Sequence, residues 1–122
     1  IAEYKRLDVA GNVKKLAPVL AALEDEMVEK HACVGQVRHI GLFSMIELVK
    51  NKETREAIVP FGKDPEGMMG KILGMLKKEG FATYSHENMI MVAPPLIITE
   101  EELRKAMAIM DKVLDSVDNM IK

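Results

Sequence analysis

Apolar residues recur at Val9, Val13, Leu16, Leu20, Leu23 and Met27, in steps of 4, 3, 4, 3 and 4. That spacing forms one stripe of an α-helix. Glu24, Asp25, Glu29 and Lys30 read as lying off the stripe. Pro18 lacks a backbone N–H and is expected to kink the helix or mark a start near it. Residues 1–8 read as the end of a separate helix, with a break around Ala10-Gly11-Asn12. Residues 1–31 together form a helical lead-in. The chain opens on Ile1, already in helix-like sequence, so a piece of a longer protein is expected.

After His31 the period changes. Residues 34–41 read as a short extended piece closed by Gly41. Leu42–Val49 is expected to be a strand, with Leu42, Ser44, Ile46 and Leu48 on one face and Phe43, Met45, Glu47 and Val49 on the other. Both faces are largely apolar, so the strand is expected to be central and covered on both sides. Residues 50–63 are charged and end in Pro60-Phe-Gly, a loop. Asp64-Pro65-Glu66 predicts a helix start, by N-cap, first-position Pro and first-turn acid. Met68, Met69, Ile72, Leu73 and Leu76 supply its apolar face, and Gly80 a left-handed ending that frees Phe81 to meet Leu76. Strands at Ala82–Ser85 and Met89–Val92 follow, turned by His86-Glu87-Asn88. Thr99 and Glu102 form a capping box that opens a last helix, with Leu103, Ala106, Met107, Met110, Val113, Leu114 and Val117 inward. The expected fold class is α+β: one domain over residues 1–122, with a small antiparallel sheet of about three strands packed against helices.

The chain has 122 residues, 17 Lys plus Arg, 19 Asp plus Glu and a net charge of -2, which argues against nucleic-acid binding. No apolar run approaches the ~20 residues that span a bilayer, so no membrane partner is expected. A single cysteine, Cys33, excludes an internal disulfide framework and fits a reducing cytoplasm.

Self-contained chemistry is sparse. Gly67 to Gly74 resembles a phosphate loop only faintly: no Ser or Thr follows Lys71, and no strand precedes it. Gly70 and Gly74, four apart on a helix, are expected to admit another backbone at close range. His31, His39 and His86 lack Cys or acid neighbours at ligand spacing, so a metal site is not expected. Cys33 reads as a buried, inert thiol. Glu47, mid-strand, wants a partner, and Arg38 is the candidate. No lysine occupies an apolar pocket suited to Schiff-base work.

Residues 34–50, VGQVRHIGLFSMIELVK, resemble a segment of class III pyridoxal-phosphate-dependent aminotransferases. Residues 52–56, KETRE, resemble the charged stretch that follows it there, and residues 88–103, NMIMVAPPLIITEEEL, that family's last strand, proline corner and terminal helix. Order and spacing also agree over essentially the whole chain. The resemblance implies the C-terminal small-domain segment of a homodimeric transaminase. The cofactor lysine and its partner aspartate would lie in the large domain, so the segment alone would be inactive, with no catalytic or cofactor-binding residue of its own. In ornithine- and aminobutyrate-type members, an Arg three residues before the first Pro of the corner receives a substrate carboxylate. Met91 stands there in this chain, and Met lacks the planar fork that binds carboxylate. Some pyruvate-linked members use a mobile Arg slightly earlier, near Tyr84, where no Arg is present. Tyr84 and His86 remain as donors to an acid group. Met91, Tyr84 and His86 are therefore the substrate-pocket candidates. The implied reaction moves an amino group from an amine, an ω-amino acid or taurine to a keto acid, with pyruvate favoured. A stand-alone regulatory or oligomerisation module, or an aminomutase of the same superfamily, are the alternatives.

Overall fold

A computed structural model describes residues 9–59, 67–94 and 98–121. The elements in chain order are α1 (Val9–Lys30), β1 (Val34–Ile40), β2 (Phe43–Asn51), β3 (Glu56–Ala57), α2 (Met68–Lys78), β4 (Ser85–His86), β5 (Met89–Val92) and α3 (Glu100–Met120). The fold is α+β, as expected, with five strands rather than three. Four of them lie side by side in the antiparallel order β1-β2-β5-β4, and β3 pairs with the far end of β2. The two additions are the extended piece before Gly41, which is a full strand, and the two-residue β3.

Helix α1 runs unbroken through Ala10-Gly11-Asn12 and Pro18, so the expected break there is absent. An interior Pro costs about 3 kcal/mol. Burial of Leu16 and Leu20, which flank Pro18, offsets it. The stripe itself is shifted: Glu24 is fully buried with Leu16, Leu20 and Met27, whereas Leu23 is only partly covered. Residues 1–8, the proposed cap Asp64 and its neighbours Pro65 and Glu66 lie outside the described residues. Among the described ones, α2 begins at Met68 behind Gly67, whose backbone is left-handed at φ 65°.

Two predicted helix boundaries hold in detail. The Phe81 N–H donates to the Leu76 carbonyl at 2.8 Å and the Gly80 N–H to the Lys77 carbonyl at 3.0 Å, with Gly80 at φ 96°. That is the paired closure of a left-handed glycine ending. The Glu102 N–H donates to Thr99 Oγ1 at 3.1 Å and the Thr99 N–H to Glu102 Oε1 at 3.3 Å, the reciprocal capping box.

The helices lie on one face of the sheet: α1 packs on β1 and α3, and α2 packs on α3. Ser44, Ile46, Leu48, Ile90 and Val92 face them and are buried. The other face is covered in part: Val49 is fully buried and Met91 nearly so, whereas Phe43 is 42% and Ile40 85% exposed at the hairpin end. Strand β2 is central by pairing, and its second face opens only toward Phe43. The β4–β5 hairpin is tighter than its sequence suggests. Glu87 takes a left-handed φ of 55°, the connection shrinks to Glu87-Asn88, and His86 passes from turn to strand. Ala82, Thr83 and Tyr84 fall outside the regular ladder, although the Met91 N–H still donates to the Tyr84 carbonyl at 3.0 Å.

Gly35 leaves no room for a side chain. A Cβ there would stand 2.6 Å from Val49 Cγ1, beside the register shift between Val34 and Gln36. Gly70 and Gly74 do the opposite of the expectation: a Cβ on either meets nothing within 4 Å. Gly35→Ala should therefore cost about 1–3 kcal/mol of stability through overpacking. Gly70→Ala should add roughly 0.5–1 kcal/mol by removing backbone freedom from the unfolded chain. Urea denaturation of the two variants checks both signs.

Candidate functional site

Sheet register decides which sequence candidates meet. Met45 pairs with Arg38 on one side and Met91 on the other, and Tyr84 follows on the far side of Met91. In the adjacent row Glu47 pairs with Gln36 and Met89, and Met89 with His86. Directly paired residues share a face. The three candidates Met91, Tyr84 and His86 therefore stand together on the face turned away from the helices. Met91 is nearly buried at 7% exposure, while Tyr84 is 59% exposed. The Met91 carbonyl accepts a hydrogen bond from the Thr83 hydroxyl, which ties the loop before β4 to β5.

A cleft of about 310 Å³ lies beside these residues, between the β4–β5 end of the sheet and the first half of α3. Thr83, Tyr84, Val92, Pro94, Leu103 and Met107 are among its lining residues. It is largely apolar, and of the three candidates only Tyr84 touches it. Glu47 and Arg38 lie on neighbouring rows, diagonal to each other. No hydrogen bond or ion pair joins them, so the expected pair is not formed.

Two buried polar sites escaped the sequence reading. In the first, the Ser44 hydroxyl donates to Glu24 Oε2 at 2.6 Å, and Glu24 Oε1 is buried with no partner among the described residues. Burial pushes the Glu24 carboxyl up from 4.5 to about 7, against the lowering effect of the Ser44 bond.

In the second, His31 is fully buried between two carboxylates of α3. Nε2 lies 2.7 Å from Asp111 Oδ1, Nδ1 lies 2.6 Å from Asp118 Oδ2, and Asp115 Oδ1 is 3.6 Å from Nδ1. Ionised carboxylates only accept hydrogen bonds, so a ring N–H of His31 is the donor in this cluster. Asp118 also accepts from the Cys33 N–H at 2.9 Å, and Lys30 pairs with Asp111 at 2.6 Å. Partial burial would raise both aspartates, but the bonds from His31, with Cys33 on Asp118 and Lys30 on Asp111, overcome it and lower both from 3.8. Atoms of His31, Asp115 and Asp118 lie within 4.8 Å of one another, dimensions that suit a cation. Both ring nitrogens are already occupied, however, and the cluster reads as an ion-pair clamp between the end of α1 and α3. The sequence does not reveal the partners of His31 because they lie 80 and 87 residues away. The only local trace is the 4,3 spacing of Asp111, Asp115 and Asp118 along one helix face. Cys33 is buried as expected. Burial first, and Asp118 next, push its thiol well above the ordinary range.

Residues 1–114 match the sequence family described as "Aminotransferase class-III". The chain belongs to that family. A solved structure of taurine:2-oxoglutarate aminotransferase from Bifidobacterium kashiwanohense, in complex with PLP and glutamate, is 43% identical, with a TM-score of 0.91 over 98% of this chain. The chain covers 26% of that one. Among curated proteins, ethanolamine-phosphate phospho-lyase homolog 1 from Caenorhabditis elegans is 34% identical over 76% of the chain and 19% of its own length. The taurine–pyruvate aminotransferase of Bilophila wadsworthia is 27% identical over 93% of the chain and 25% of its own length. The chain thus spans a quarter or less of the curated relatives described here. No helix among the described residues is long and apolar enough to cross a membrane.

The two buried sites predict opposite responses to pH. The Glu24 carboxyl binds its proton more tightly in the folded state, so its contribution is complete below pH 4.5 and is lost as pH rises through about 7. Glu24→Gln should flatten that slope and raise stability at pH 8 by on the order of 2–3 kcal/mol. Asp111 and Asp118 bind protons less tightly when folded. Their contribution is present above pH 3.8 and is lost as pH falls through the depressed values. Asp118→Asn should cost about 1–3 kcal/mol at pH 7, because the amide has one acceptor oxygen where the carboxylate met both the His31 ring and the Cys33 N–H. Thermal denaturation from pH 3 to 8 separates the two effects.

Proposed function

We propose that this chain is the C-terminal, small-domain segment of a pyridoxal-phosphate-dependent transaminase that takes the amino group of a taurine-type ω-amino acid. Its acceptor is a small keto acid, with pyruvate preferred. Family membership supports the reaction class, and the taurine aminotransferases among the relatives support the donor. The observation that carries the acceptor is Met91. It is a nearly buried thioether on the face shared with Tyr84 and His86, at the position where carboxylate-binding relatives are expected to hold an Arg.

The cofactor would supply the electron sink for amino transfer. The described residues do not fit it as a covalent site, since every described lysine is exposed. An amine made nucleophilic near neutral pH needs burial or cationic neighbours. The cofactor therefore belongs to the remainder of the parent. This chain's share is a wall: Met91 excludes water and refuses a second carboxylate, while the Tyr84 hydroxyl and the His86 ring donate to the acid group of an ω-amino acid. We read the parent as a homodimer in the cytoplasm, which the free, buried Cys33 suits.

A second reading has its own support. The 43% identical neighbour is a taurine:2-oxoglutarate aminotransferase. A carboxylate brought against a thioether loses hydration without gaining a partner. That penalty, a few kcal/mol, corresponds to a preference for pyruvate of roughly a hundredfold. The test is kcat/KM for both acceptors with taurine on the full-length enzyme and its Met91→Arg variant. Pyruvate should win in the wild type, and 2-oxoglutarate should gain selectively in the variant. Equal wild-type values would overturn the role of Met91. Amine consumed without any keto acid would favour a lyase, as in the phospho-lyase relative.

A further inference from the structure

We propose that Glu24 and Ser44 form a proton-operated latch between α1 and the sheet. It holds the middle of α1 against β2 while the Glu24 carboxyl is neutral, and it releases that seam as the carboxyl ionises. The inference goes beyond the transaminase reading and does not depend on it.

The geometry of the seam sets the two states. Glu24 is fully buried in the line Leu16, Leu20, Glu24 and Met27, the inward stripe of α1. Ser44 lies opposite, on the inward side of β2, and is also fully buried. Its hydroxyl donates to Glu24 Oε2 at 2.6 Å, while Oε1 meets no donor among the described residues. A neutral carboxyl tolerates one idle oxygen, because a buried polar group without a partner costs far less than a buried charge. An ionised carboxyl spreads its charge over both oxygens, and one hydroxyl does not compensate it. The helix can answer only by turning or lifting until the carboxylate meets water.

The surroundings supply no counter-ion among the described residues. On α1 itself the adjacent charge is Asp25, of the same sign. From β1 the register partner of Ser44 is His39, which is exposed, and from β5 it is Val92. On α3, Asp111, Asp115 and Asp118 gather round Lys30 and His31. Arg104, Lys105 and Lys112 are paired with Glu100, Glu101 and Glu79. Burial therefore outweighs the Ser44 bond, Asp25 adds to it, and the carboxyl stands at about 7 instead of 4.5.

The rest of α1 makes its middle the part that moves. At one end the Asn12 side chain donates to the Ile98 carbonyl at 3.0 Å. At the other, Lys30 binds Asp111 at 2.6 Å and His31 lies 2.6 Å from Asp118. Between these anchors Pro18 has no N–H, so the helix lacks a backbone bond just upstream of Glu24. A helix weakened there bends and does not move as a rod. Strand β2 carries the change outward: Ser44 pairs with Val92, and its neighbour Met45 pairs with Met91. Releasing the seam thus slackens the ladder that positions Met91.

The test is hydrogen exchange with peptide mass analysis on the full-length protein at pH 6 and pH 8, corrected for the intrinsic pH dependence of exchange. In the wild type, protection of amides in α1, β2 and β5 should fall roughly tenfold across this interval. The opened state is ionised throughout it, whereas the closed seam keeps its proton up to about 7. Amides of α2, which packs on α3, are the internal control and should stay level. Glu24→Gln has no proton to lose and leaves His31 and His39 intact, so its seam should be equally protected at both pH values. A wild type with level protection, or a Glu24→Gln variant with the same fall, would overturn the proposal. A fall of equal size in α2 would also overturn it, since that marks a global loss of stability and no local latch. If Glu24→Gln fails to accumulate, Ser44→Ala decides. Removing the hydroxyl removes the bond that favours the charged form, so the fall should extend to higher pH than in the wild type. Weaker protection with an unmoved pH dependence would show a purely structural contact and refute the latch.

Discussion

The side-chain alternation of a four-stranded ladder governs this molecule. Side chains alternate across a strand with a period of two, so slipping one strand by a single residue would bring every buried group to the surface. Ser44, Ile46 and Leu48 on β2 and Ile90 and Val92 on β5 are all buried together, and that agreement locks the register. The rest follows from it. Met45, Met91 and Tyr84 are forced onto the opposite face, and so are Arg38, Glu47 and His86. The grouping of Met91, Tyr84 and His86 on one face is thus a by-product of the register that builds the core.

The helices are held to this ladder by apolar packing and by two polar contacts at its seams. Glu24 and Ser44 join α1 to β2, while His31 joins the end of α1 to α3 just before the chain enters β1. They differ in completeness. The His31 cluster puts a carboxylate oxygen within hydrogen-bond distance of each ring nitrogen, and those carboxylates are stabilised in their charged form. Among the described residues Glu24 has one partner and one orphaned oxygen, and burial favours its neutral form. Apolar packing sets how close these elements come. The polar contacts, which tolerate few geometries, set how they are oriented.

For function, the division of labour is physical. A nucleophilic lysine must be shielded from water, and this segment exposes every lysine that the structure describes. What it offers is a stiff surface on regular strands, where a side chain is positioned more tightly than on a loop. A thioether, a phenol and an imidazole stand in neighbouring positions on that surface.

Much of the local structure is legible in the sequence. The Gly80 ending, the Thr99–Glu102 box, the span Met89–Val92 and the inward face of α3 depend on residues within a few positions of each other. So do propensity and period. The motif-bearing stretches 34–50 and 88–103 carry the family for the same reason, being contiguous. Contacts between distant segments leave no such trace. Glu24, being polar, reads as lying off the helix stripe, and only the presence of Ser44 across the seam permits its burial. His31 has no visible partner in the sequence because Asp111 and Asp118 are brought to it by the packing of α3 on α1. The two-residue hairpin at Glu87-Asn88 requires a non-glycine residue with positive φ, which propensity argues against. How far the second face of β2 is covered is settled by tertiary packing, which buries Val49 and leaves Phe43 exposed, and strand alternation alone holds no record of that. Neighbouring residues thus suffice for the elements and for the family. Which polar groups are buried, and which candidates share a face, emerges only on packing, because it depends on contacts across some 20 to 87 residues of chain.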